Sequence, residues 1–150
     1  MLHKQYKNRT DNFFIKPQKT VGRDLQTNFK PLIVWLILNK KTEKALKILA
    51  KKYNVTIPKL KVGLPKGHKT NTLGCYLTKN STITVHNSDL LSNPHVILHE
   101  FYHHLRTNIE KKHQGTEKNA NKFALDFIRE YRISNQEQIG DLSLKKIKRE

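Results

Sequence analysis

Two imidazoles and a carboxylate fall close together in the run His99-Glu100-Phe101-Tyr102-His103. On a helix, positions four apart share a face, so His99 and His103 can grip one metal ion together. Glu100, between them, can reach a water at that metal and act as its general base. The chemistry offered by this spacing is metal-assisted hydrolysis. Catalytic zinc takes three protein ligands and keeps a fourth position open, so a third ligand is expected from another element.

Glu117 is the leading candidate. Ala120, Phe123, Ala124, Phe127 and Tyr131 recur three and four apart, which predicts a helix from Glu117 to Ile133 with one inward stripe. Glu117 lies at the N-terminal end of that stripe, where an inward carboxylate needs a cation. A second reading is that Glu117 complements the helix dipole after a Thr116 cap. The inward register favours the ligand. Glu110 is seven residues beyond His103, about 10 Å along the axis, and cannot share its metal. Asp126 and Glu130 fall off the stripe and are expected in solvent. His95 is also four residues from His99, but only the 99/103 pair brackets a glutamate, so His95 is read as a first-turn surface residue. His104 points about 100° away from His103 around the helix and is read as packed. His86 and His113 are candidates for orienting a substrate.

Other elements must hold these groups in place. Leu98, Phe101, Leu105 and Ile109 recur at helical spacing, Asn93 can cap, and Pro94 suits a first helical position, which predicts a helix from Pro94 to about Ile109. Before it, Leu73–Thr78 and Thr82–His86 are expected as two strands joined at Lys79-Asn80-Ser81. Ile83 and Val85 alternate with Thr82 and Thr84, as in a half-buried strand. Val55–Val62 is extended but carries Pro58, so it should be an edge or interrupted strand, and Gly63–Asn71 a loop. Helices are expected from Pro31 to Leu38 and from Thr42 to Tyr53, the second burying Ala45, Leu46, Leu49 and Ala50. The expected fold class is α+β, with a short, mostly antiparallel sheet packed on the histidine-bearing helix and a ligand-bearing helix after it. Residues 1–27 are expected as a basic flexible arm, 28–135 as the domain and 136–150 as a basic tail.

Composition narrows the setting. The longest apolar run, Leu32–Leu38, is far below the ~20 residues that span a bilayer, and no signal-peptide pattern opens the chain. The single cysteine, Cys75, excludes an internal disulfide and a CxxC metal site. A cytoplasmic protein without a membrane partner is expected. The net charge is +17, and its distribution is uneven. Residues 31–70 hold ten basic groups against one acidic, whereas residues 71–110 hold two against three. Such a surface draws nucleic acid through counterion release, although no base-reading motif accompanies it.

The run His99–Leu105, followed by Glu117-Lys118-Asn119-Ala120-Asn121-Lys122-Phe123-Ala124, resembles the HExxH…ExxAxxFA pattern of the ImmA/IrrE-type family of zincin metallopeptidases. SprT-like peptidases and minimal gluzincins are similar in outline. The resemblance covers roughly residues 42–133. It implies a small zincin-like domain with one zinc ion on His99, His103 and Glu117, Glu100 as the base, and a protein or peptide as substrate. It also implies that Thr82–His86 forms the sheet edge along which the substrate aligns, with Thr84, His86 and Tyr76 as substrate-binding positions. Tyr76, His86 and Tyr131 are the candidates for a transition-state donor. Tyr102 departs from the family, which often carries glycine there, and no helix-turn-helix signature is present. The alternative expectation is a basic nucleic-acid-associated protein that uses the zincin-like fold as a scaffold.

Overall fold

The computed structural model describes residues 28–110, 113 and 115–147, and the arm expected over residues 1–27 lies outside them. Helix α1 spans Phe29–Leu38 and α2 spans Thr42–Tyr53. Strand β1 (Lys59–Val62) follows, then β2 (Gly74–Leu77) and β3 (Thr82–Val85), with a single 3-10 turn at Thr78–Asn80 between the last two. A second 3-10 segment, Ser88–Ser92, leads into α3 (Pro94–Ile109), and α4 runs from Glu117 to Ile147. The described residues form a mixed α+β architecture, four helices around a three-stranded sheet. Among the described residues no helix is long and apolar enough to cross a membrane.

Helix α1 accounts for the apolar run. Leu32, Ile33, Val34, Leu36 and Ile37 are all buried, and only Trp35 and Leu38 reach solvent. A helix apolar on nearly every side is stable only inside a core, and α1 is enclosed by α2, α3, α4 and the second 3-10 segment. It begins two residues before Pro31, which falls in the first turn, where its missing N–H costs nothing. Helix α2 buries Ala45, Leu46, Leu49 and Ala50 and turns its lysines outward. It ends on Asn54 in the left-handed conformation, where the Asn54 N–H bonds the Lys51 carbonyl and the Val55 N–H the Ala50 carbonyl.

The sheet has the order β1-β3-β2, with β1 parallel and β2 antiparallel to β3. It is therefore mixed rather than mostly antiparallel, because the chain passes through β2 before β3 returns in the direction of β1. Pro58 stops just short of β1, an edge strand. β3 is the central strand, so the expectation that Thr82–His86 forms a sheet edge does not hold. Nor is β3 half-buried: Thr82 and Thr84 are as enclosed as Ile83 and Val85. Their hydroxyls are satisfied locally, Thr84 donating to the Cys75 carbonyl at 3.2 Å and Thr82 to the Asn80 carbonyl at 3.2 Å.

Helix α3 starts as its sequence dictates, with Asn93 Oδ1 accepting from the Val96 N–H at 3.2 Å and Pro94 in the first turn. Its buried side, Ile97, Leu98, Phe101 and Leu105, lies between the sheet and α4. Helix α4 continues through Ile147 instead of stopping near Ile133, so the expected tail from 136 belongs largely to the helix. The inward stripe ends near Tyr131, yet no proline follows and the single Gly140 is exposed, so propagation is not interrupted.

An aromatic seam joins α1, α3 and α4. Phe123 lies 4.9 Å from Phe127 and 6.4 Å from Phe101, ring centre to ring centre, and Phe127 meets Phe29 edge-on at 6.0 Å. Replacing Phe127, fully buried in this seam, with alanine is expected to cost about 3–5 kcal/mol of unfolding free energy, measured by urea denaturation.

Candidate metal centre

One ligand atom each from His99, His103 and Glu117 falls within 4.8 Å of the other two. His99 Nε2 stands 3.3 Å from His103 Nε2, and the Glu117 carboxylate reaches them at 2.9 and 3.0 Å. Helix periodicity places the two histidines side by side. The approach of Glu117 is a tertiary event, in which the chain leaves α3, turns at Gly115 and re-enters as α4. Thr116 caps that helix, its hydroxyl accepting from the Asn119 N–H at 3.2 Å. The two readings of Glu117 are thus compatible, since it occupies the first helical turn and also faces both imidazoles.

Glu117 is not inward, however. Its side chain is 78% exposed, whereas those of His99 and His103 are 13% and 7% exposed. The trio therefore opens at the surface, with the histidines as floor and the carboxylate as rim. Asn121, which sequence reasoning passed over, supports it. Asn121 Oδ1 lies 2.8 Å from His99 Nδ1, and an amide oxygen can only accept. A proton on Nδ1 satisfies that contact and would leave the Nε2 lone pair for a metal ion shared with His103 and Glu117. The available signal was spacing, because Asn121 lies four residues after Glu117 on the same face of α4.

Glu100 lies beneath the sheet. It is only 7% exposed, and its carboxyl is pushed up to about 7, chiefly by burial and next by the negative charge of Glu117. A backbone hydrogen bond from Tyr76 opposes the rise. Gly74 makes room for this carboxylate: a Cβ there would stand 2.9 Å from Val96 Cγ1 and 3.3 Å from Glu100 Cγ. β2 therefore rests directly on the residue between the two histidines. A cation held by the neighbouring trio would favour the ionised carboxylate.

The remaining candidates separate. Tyr76 is buried, and its hydroxyl is committed to His104 Nδ1 at 3.0 Å, while His104 Nε2 lies 2.7 Å from the Thr56 carbonyl. A carbonyl only accepts, so His104 carries its proton on Nε2 and accepts the Tyr76 O–H on Nδ1. Burial pulls its pKa down and keeps it neutral, and His104 is packed as expected. Thr84 is sealed beside Cys75 Sγ, 2.9 Å away. His86 is exposed at the end of β3, bonded through its N–H to the Leu73 carbonyl, and among the described residues its ring bonds none of the trio. Tyr131 is fourteen residues beyond Glu117, about 21 Å along α4, and cannot serve as a donor at the trio. His95 is half-buried rather than a free surface residue, its ring 6.1 Å from that of His99. Glu110 pairs with Arg106 at 3.1 Å, Asp126 with Lys30 and Arg129, and His113 is exposed.

Tyr102 stands where the family resemblance leads one to expect glycine. Its ring packs on Phe123 at 5.6 Å and closes over Gly115. Gly115 has φ +73, and a Cβ there would lie 2.5 Å from Tyr102 Cε1 and 2.9 Å from Arg106 Cγ. The turn that delivers Glu117 thus requires glycine for both conformation and space. Comparison with family models, with curated proteins and with solved structures gives no match. Changing Gly115 to alanine is expected to lower stability by about 1–3 kcal/mol, read as a reduced urea midpoint.

Proposed function

We propose that this chain is a zinc metallopeptidase of the zincin type, in which His99, His103 and Glu117 hold one zinc ion and Glu100 is the general base. The observation that carries this reading is the convergence of Glu117, from a separate helix, on the two imidazoles that flank a buried glutamate. The donor set fits the metal. A tetrahedral ion with bonds of about 2.0–2.1 Å needs donors about 3.3 Å apart, and the three separations here are 2.9, 3.0 and 3.3 Å. Two neutral imidazoles and one carboxylate are a usual catalytic set for zinc, and the Asn121 contact fixes His99 in the ligating tautomer. The resemblance to the ImmA/IrrE-type pattern belongs to the same proposal.

Zinc held there supplies Lewis acidity, which acidifies water and polarises a carbonyl. Glu100 takes the proton of the attacking water on its carboxylate and returns it to the leaving nitrogen. Its burial under β2 keeps competing solvent away from that proton. The substrate, a protein or peptide segment, aligns along β2, an edge strand among the described residues, rather than along β3. The N–H of His86 bonds to the Leu73 carbonyl across the β2–β3 pair. By antiparallel alternation, the backbone groups of Gly74 and Tyr76 face away from β3; the Tyr76 N–H is taken by Glu100, which leaves the Tyr76 carbonyl and the Gly74 groups for the added strand. Tyr76 then serves through its backbone, and its side chain only anchors that strand to α3.

Changing Glu100 to glutamine is expected to leave one zinc ion bound per chain and to slow cleavage of fluorescently labelled casein by about 10²–10⁴-fold. Wild-type turnover in that variant would refute the mechanism. Changing Glu117 to alanine is expected to remove both metal and activity, and undiminished zinc by elemental analysis would exclude it as a ligand. Changing Asn121 to alanine is expected to weaken zinc binding by about 10–100-fold, measured by competition with a chromogenic chelator.

A further inference from the structure

On the sheet edge away from Glu100, an open cleft of about 1280 Å³ lies between the start of α2 and the 3-10 segment Ser88–Ser92. Lys40, Lys41, Lys44 and Lys47 wall it, and Ile48 and Leu60 contribute apolar lining. Glu43 and Asp89 are its acidic residues, so lysine outnumbers acid two to one. From this cleft a lysine row continues along α2. Lys44, Lys47 and Lys51 stand three and four residues apart on one face, covering about 10 Å of helix axis. Lys59 and Lys61 are exposed on the neighbouring β1. Among the described residues, Lys40, Lys47, Lys51, Lys59 and Lys61 have no ion-pair partner, whereas the arginines of α3 and α4 that form pairs do so with nearby carboxylates.

A line of cations on a rigid helix, beside an open basic cleft, fits a repeating polyanion. We propose that this face binds the phosphate backbone of double-stranded nucleic acid, independently of the metal centre. A membrane is the poorer fit, because the apolar side of α2 (Ala45, Leu46, Leu49 and Ala50) is wholly buried and cannot enter lipid. Single strands are also disfavoured. They need open aromatic platforms, whereas Tyr53 packs against Phe101 and Phe123 and the half-exposed ring of Trp35 lies under Lys41, 5.2 Å away. Recognition is of charge and spacing, without base reading. The cleft opens beside β1 and the metal trio beside β2, the two edges of the sheet, so a duplex on one leaves the other accessible.

The test is fluorescence anisotropy of a labelled 20-base-pair DNA duplex with the full chain, titrated across salt concentrations. A cleft variant carries Lys40→Ala, Lys47→Ala and Lys51→Ala. A charge-matched control carries Lys118→Ala, Lys122→Ala and Arg132→Ala, all exposed on α4. The cleft variant is expected to lose two to three from the slope of log affinity against log salt and about tenfold or more in affinity at low salt. The control is expected to stay near wild type, and Lys→Arg at positions 40 and 47 of the cleft and 51 of the adjoining row to retain binding. Equal losses in the two alanine variants, an unchanged slope in the cleft variant, or wild-type binding to phosphatidylserine vesicles but not to the duplex would each overturn the proposal. Urea midpoints and zinc content of the same preparations separate this outcome from misfolding and from failure of the peptidase reading.

Discussion

The packing of α4 back onto α3 is the constraint on which the rest of the molecule depends. Phe101, Phe123 and Phe127 interlock across the two helices, and Phe29 of α1 closes the far end. Burying aromatic side chains of this size contributes roughly 1.5–3 kcal/mol each, whereas an ion pair with a mostly exposed partner contributes little. The polar trio therefore does not hold the helices together. The seam sets the relation of the helices, Gly115 sets the turn between them, and the carboxylate of Glu117 arrives beside the imidazoles as a consequence.

The same economy appears under the sheet. β2 can approach α3 closely enough to cover Glu100 only because Gly74 has no side chain. Tyr76 then works in two directions. Its N–H bonds Glu100, and its hydroxyl bonds His104, which in turn is fixed by the Thr56 carbonyl. A buried carboxyl raised to about 7 and a buried neutral imidazole are both costly unless their hydrogen bonds are supplied. One strand supplies partners to both, tying the position of the edge strand to the electrostatics of the helix below it.

Charge is divided between the two sides of the sheet. The segment that contains β2, β3 and α3 is close to electrically balanced, whereas residues 31–70, which carry α2, β1 and the loop after it, hold ten basic groups against one acidic. A strongly basic surface beside the trio would compete with a metal ion for Glu117 and Glu100. The densest run of lysines lies instead at the β1 edge of the sheet, where a polyanion can reach it.

Much of this was legible in the sequence because it is local. The bounds of α2 and α3, the Asn93 cap, the loop between β2 and β3 and the pairing of His99 with His103 follow from periodicity, turn chemistry and helix pitch, which act over a few residues. Even the approach of Glu117 left a trace, in the apolar register of α4. What the sequence could not determine was the order of the strands, since either Thr82–Val85 or Gly74–Leu77 could have formed an edge by composition alone. Only the folded sheet decided that β3 is central and β2 an edge strand among the described residues, because that choice depends on which faces α3 and the helices beyond it cover. The reach of α4 past Ile133 likewise followed from uninterrupted helix propagation rather than from apolar patterning. The role of Asn121 was also tertiary: its spacing put it on the face of α4 that carries Glu117, but only the packing of α4 against α3 brings His99 within hydrogen-bonding distance.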